Sequence, residues 1–167
     1  ALKHGIDLAS VPDRQESRVK AAMKMDTHTG LRTSTRYVHP YHNWVFRTLE
    51  EVFGVRFLIW KTRVGTHPYI TEMYIIGEAT DVTLAVGLFP WLEGLFPSLY
   101  HKALKAGLVS KTFAAQNGYY FGLFQGIVDT NKREEAKLSA EDRSKWALVL
   151  ASKKDLVAAE FAKHYTK

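Results

Sequence analysis

A chain of 167 residues with 46% apolar content is long enough for one domain with a real core, or for one domain and an arm. Cysteine is absent, which excludes disulfides, thiolate nucleophiles and cysteine-ligated zinc together. The net charge of +6 is uneven: residues 14–36 carry Arg14, Arg18, Lys20, Lys24, Arg32 and Arg36 against Glu16 and Asp26, whereas residues 64–100 contain no lysine or arginine. A basic arm on a less basic body suits a polyanion such as nucleic acid, in competition with a plainly solvated surface.

In chain order, ALKHGID at residues 1–7 reads as the end of a helix, with Gly5 able to take the left-handed terminal conformation. No signal peptide is visible, and a start at Ala1 without a methionine is compatible with a trimmed N-terminus. The polar, basic stretch that follows, with Pro12, Gly30 and Pro40, reads as an extended arm with a short helix around residues 15–25. The expected division is therefore 1–41 for the helix end and arm, and 42–167 for an α+β domain.

Asn43 is the expected N-cap of a helix through Trp44, Val45, Phe46, Leu49, Val52 and Phe53, ended by Gly54. Residues 55–64 and 69–76 are rich in β-branched and aromatic types and form a hairpin across Gly65-Thr66-His67-Pro68. Thr80 and Asp81 open the next helix, where a carboxylate favours the positive end. Its GLFP unit at 87–90 recurs at 94–97, and each proline predicts a kink or restart.

Ser110 is the expected cap of a helix to Ala136, in which Ala114, Gly118, Gly122 and Gly126 recur every four residues. A strip of small residues predicts a close-packed seam, with Gly87 and Gly94 as the facing partners. After a charged helix end and loop at 131–143, WALVL at 146–150 reads as a third strand. Ser152-Lys153-Lys154-Asp155 then reads as a capping box for a final helix. The expected fold is α+β: a small, mostly antiparallel sheet of about three strands packed with a glycine-rich helical hairpin and further helices. Two prolines and Glu93 in one apolar run, and Gln116, Asn117 and Gln125 in the other, make membrane insertion the disfavoured reading.

Several of these segments carry a resemblance. The HGI ending of ALKHGID, Trp44 with Leu49 and Phe53-Gly54, Ile76-Gly77-Glu78-Ala79-Thr80-Asp81-Val82 with Ala85, the helix around Phe121-Gly122, and the expected closing strand and helix from Trp146 are similar to the domain of unknown function 2786 family. The similarity is to its C-terminal accompanying domain, with the end of its N-terminal helical module. It spans nearly all of the chain through loose, core-forming motifs, and the double GLFP unit departs from the pattern. The resemblance implies a fold and a phage or bacterial setting, with a cytoplasmic location in the host cell, and supplies no mechanism.

No H-E-x-x-H, P-loop, G-x-G-x-x-G or G-x-S-x-G pattern occurs, so the sequence offers no reason to propose an enzyme and no cofactor is expected. The metal candidates are His28, His39 and His42, with Asp26 nearby, at a spacing that matches no specific zinc pattern. Glu78 with Asp81 is an acid/base candidate set against a plain helix-start role. For DNA or RNA, the expected contacts are Arg32, Arg36, Tyr37, Arg47, Arg56, Trp60, Lys61 and Arg63, cations for phosphates and rings for exposed bases. The competing expectation is an interaction protein with a protein partner or homo-oligomer, such as an assembly subunit or host-factor inhibitor, anchored by exposed aromatics of the GLFP repeat.

Overall fold

The computed structural model describes residues 25–29 and 38–165. Its elements run β1 (Met25–Thr29), α1 (Pro40–Phe53), β2 (Arg56–Val64), β3 (His67–Glu78), α2 (Ala79–Lys105), α3 (Phe113–Ala136) and α4 (Ala140–Tyr165). The α+β class holds.

Helix α1 begins three residues before the expected cap. His39 is its N-cap, Pro40 supplies a preset φ at the first position, and Asn43 is an exposed residue within the helix. Gly54 ends it with φ 67°, its N–H bonded to the Glu50 carbonyl at 2.9 Å. Strands β2 and β3 form the expected hairpin, turning at Gly65-Thr66 with Gly65 at φ 65°. Strand β3 runs past Gly77, which is buried because Val55 and Val82 approach its backbone closely.

The sheet order is β1-β3-β2, with both pairings antiparallel. The segment expected as a strand, Trp146–Leu150, is instead part of α4, and Met25–Thr29 from the expected arm pairs with β3. Positions 148, 149, 152, 153, 156, 157, 160 and 161 of α4 are the less exposed ones, a helical period that a five-residue apolar window does not reveal. Ser152 is accordingly a buried mid-helix residue and caps nothing.

Helix α2 is continuous through Pro90 and Pro97, so the expected restart does not occur. Each proline lacks one N–H, and the inward positions Val82, Ala85, Phe89, Leu92, Phe96 and Tyr100 hold the helix by packing. Its N-cap is Glu78, whose carboxylate accepts from the N–H groups of Thr80 and Asp81. Thr80 is therefore inside the helix. Thr112, rather than Ser110, caps α3 by accepting the Ala115 N–H at 3.2 Å.

The two faces of the sheet are covered by different helices. Phe57, Met73 and Ile75 join α1 and α2 in the main core, where the Phe46 and Phe89 rings stack at 5.8 Å. Leu58 and Ile76 alternate to the other face, and both are buried there. Helix α4 packs against β3 and β1 and buries Val157.

The glycine strip does not form the expected seam. An added Cβ at Gly87, Gly94, Gly118, Gly122 or Gly126 would meet nothing within 4 Å, and all five glycines are exposed. Helix α3 packs through the adjoining positions instead. Trp44 donates its indole N–H to Asn117 at 2.8 Å, Tyr120 packs against Tyr41, Phe96 and Tyr100, and the Tyr119 hydroxyl donates to the Leu99 carbonyl at 3.2 Å. Bulky aromatics keep the backbones apart, so no glycine contact is needed.

Candidate functional site

The aromatic and basic residues of the hairpin are the sequence-predicted group that the structure leaves accessible. Among the described residues β1 pairs with β3 as far as Tyr74, and from Trp60 onward β2 and β3 pair with each other alone. Trp60 is 45% exposed and meets Tyr74 edge-on at 5.4 Å. The pairing of β2 with β3 shifts register between Trp60 and Lys61, and beyond that irregularity Lys61 and Arg63 are both exposed. Glu72 lies opposite Trp60 and accepts a hydrogen bond from the Tyr74 hydroxyl at 3.1 Å. That contact, with the neighbouring carboxylate charge, raises the Tyr74 phenol above its ordinary value.

Arg47 and Arg56 belong to a different neighbourhood. Arg47 lies over the Trp44 ring at 5.7 Å. Arg56 lines a cavity of about 250 Å³ together with Glu50, Glu51, Lys153 and Lys154. Glu50 accepts the Phe57 N–H at 3.0 Å, yet burial raises its carboxyl above the ordinary value despite that bond and the nearby Arg56 and Arg47. Mixed charges of both signs make this recess a poor phosphate site. Arg32, Arg36 and Tyr37 lie outside the described residues.

Of the metal candidates, His42 has both ring nitrogens engaged in hydrogen bonds. His42 is fully buried, and its Nδ1 accepts the His39 N–H at 2.9 Å. Nε2 therefore carries the proton and donates to Glu93 Oε1 at 3.1 Å, so neither nitrogen is left for an ion. His39 stacks on Tyr41 at 5.3 Å and is pulled below its ordinary pKa by burial first, then by the adjacent His42 ring, against the pull of Glu93. His28 is placed on β1 opposite Ile75. Among the described residues no three metal-ligating side chains converge.

Glu78 and Asp81 likewise have structural partners. Glu78 caps α2, and Asp81 accepts a 2.5 Å hydrogen bond from Lys153 of α4 in an ion pair with side chains 15% and 14% exposed. Neither this pair nor His42–Glu93 is suggested by local sequence patterns, since their members stand 72 and 51 positions apart. The one sequence signal is Glu93 itself, a lone carboxylate within the apolar run of α2.

The GLFP aromatics are not exposed anchors. Phe89 and Phe96 are core residues at 0% and 1% exposure, and the uncovered apolar residues of α2 are Leu84, Leu88 and Trp91. Comparison with protein-family models, with curated proteins and with solved structures finds no match for this chain.

Proposed function

We propose that this chain is a nucleic-acid-associated accessory protein that engages DNA or RNA, in single-stranded form, through the open end of the β2–β3 hairpin. The observation that carries the reading is Trp60: a large ring on a strand, nearly half exposed instead of packed into the core. Such a ring offers a stacking face for an unpaired base, and Lys61 and Arg63 on the same ribbon offer charge to the phosphates around it. The net charge of +6 favours the same class of partner. The resemblance to the domain of unknown function 2786 family adds a phage or bacterial setting and a cytoplasmic location.

The bland alternative is that cations on β2, an edge strand, only discourage pairing with other sheets. Oligonucleotide anisotropy at low salt separates the two. Trp60→Ala is expected to weaken single-strand binding about tenfold, the worth of one stacked base. Joint Lys61→Ala and Arg63→Ala changes reduce the salt slope by about one to two contacts. Undetectable binding to both single- and double-stranded probes rejects the reading, and so does full binding by the Trp60 variant.

A second reading, an assembly subunit or inhibitor of another protein, draws on Leu84, Leu88 and Trp91 along the outer face of α2. A stable oligomer or a stoichiometric protein partner in the native preparation, with no shift of nucleic acid, favours it.

A further inference from the structure

The connection between α2 and α3, residues 106–112, holds a second exposed surface of different chemistry. Leu108 and Phe113 are the two most exposed large apolar side chains among the described residues, at 78% and 72%. Lys102, Lys105 and Lys111 flank them, all exposed, and residues 94–128 contain no aspartate or glutamate. The turn is built to hold this arrangement. Gly107 takes φ 70°, the Leu108 N–H bonds the Ala103 carbonyl at 3.0 Å, and Val109 packs against the core beneath. The hydrogen-bonded turn therefore presents Leu108 to solvent by its own geometry.

We infer that this tip docks on an anionic lipid surface, peripherally and without spanning it. Two exposed apolar side chains, Leu108 on the turn and Phe113 at the first position of α3, can enter the boundary between headgroups and acyl chains, while the lysine ammonium groups meet anionic headgroups around them. The chemistry favours lipid over nucleic acid at this site. Leu108, the more exposed of the two apolar side chains, has no flat face for a base and gains only from an apolar surrounding such as acyl chains supply. It also favours lipid over a protein partner, since lysine is depleted in protein interfaces and this tip has three beside two apolar side chains.

Co-sedimentation of the full chain with vesicles tests the inference. Vesicles of phosphatidylcholine and phosphatidylserine in equal parts are expected to retain the protein at low ionic strength, and phosphatidylcholine alone much less. Joint Leu108→Ser and Phe113→Ser changes lower the bound fraction about tenfold. Joint Lys105→Glu and Lys111→Glu changes lower it comparably, leaving the circular dichroism spectrum unchanged in both cases. No retention by the mixed vesicles overturns the inference, as does retention that both variants leave intact. Tip variants that weaken oligonucleotide binding but spare vesicle binding overturn it too, and assign the surface to nucleic acid.

Discussion

Both ring nitrogens of His42 are engaged inside the core, and the carboxylate of Glu93 depends on one of them. A buried carboxylate is tolerated only while hydrogen bonds replace its lost hydration. His42→Ala therefore removes more than packing: it leaves Glu93 with one donor fewer in a buried site. Urea unfolding at neutral pH is expected to show a loss of about 3–5 kcal/mol. Replacing both members by leucine costs much less than His42→Ala alone, because no charge is then left behind. The opposite sign is expected at Ser152, which is 0% exposed and whose hydroxyl has no hydrogen-bond partner among the described residues. Ser152→Ala removes an unsatisfied polar group and improves helix propensity, so a gain of about 1 kcal/mol should appear in the same measurement. Read as a cap, Ser152 would instead lose stability on that change. The four letters Ser-Lys-Lys-Asp fit a capping box, and only the burial of α4 against the sheet reveals that the serine lies in mid-helix.

Glycines separate the elements into two kinds. On α3, Gly118 and Gly122 occupy helix-interior positions with open space where a Cβ would stand. Each is expected to gain about 0.5–1 kcal/mol on replacement by alanine, the full propensity difference with no steric charge against it. At Gly77 a Cβ would lie 2.8 Å from Val55 Cγ1 and 3.3 Å from Val82 Cγ2, so Gly77→Ala forces the Val55 side chain first, and Val82 next, away from β3 and loses about 1–3 kcal/mol. Thermal unfolding of the three variants checks all of this; a destabilising Gly118→Ala would mean that the strip is covered by something the chain meets in solution. Periodicity made the existence of α1, α2, α3 and the hairpin legible, because apolar positions at three and four, or at two, select one backbone period. It did not make legible which side of α3 faces inward. Small residues and aromatics both recur at helical spacing there, and the choice falls to Trp44, Tyr41 and Tyr100, which lie far away in sequence and demand aromatic partners.

Taken whole, the molecule is a small sheet with α1 and α2 on one face, α4 on the other, and α3 closing the aromatic end of the core. The residue types of the hairpin site were legible from the sequence. Their division was not: Arg47 and Arg56 sit beside Glu50, away from Trp60, because α1 ends against the start of β2. The tyrosines of the aromatic end also set a property of the whole fold, its tolerance of alkali. Burial, followed by the negative charge of Glu93 and the nearby Tyr120, pushes the Tyr41 phenol from an ordinary 10.0 to about 12, and burial raises Tyr120 as well. Unfolded tyrosines lose their protons near pH 10, whereas the folded chain keeps Tyr41 protonated to about 12. Over that window the native state binds more protons than the unfolded state, so its stability must fall as pH rises. Below pH 10 both states hold the proton and the dependence vanishes. Urea midpoints taken from neutrality into this window should decline, in step with delayed tyrosinate absorbance in the native protein. Tyr41→Phe keeps the ring and removes the titrating hydroxyl, so its midpoints should decline less steeply over the same range; an unchanged slope would place the alkaline sensitivity elsewhere than in the aromatic end of the core.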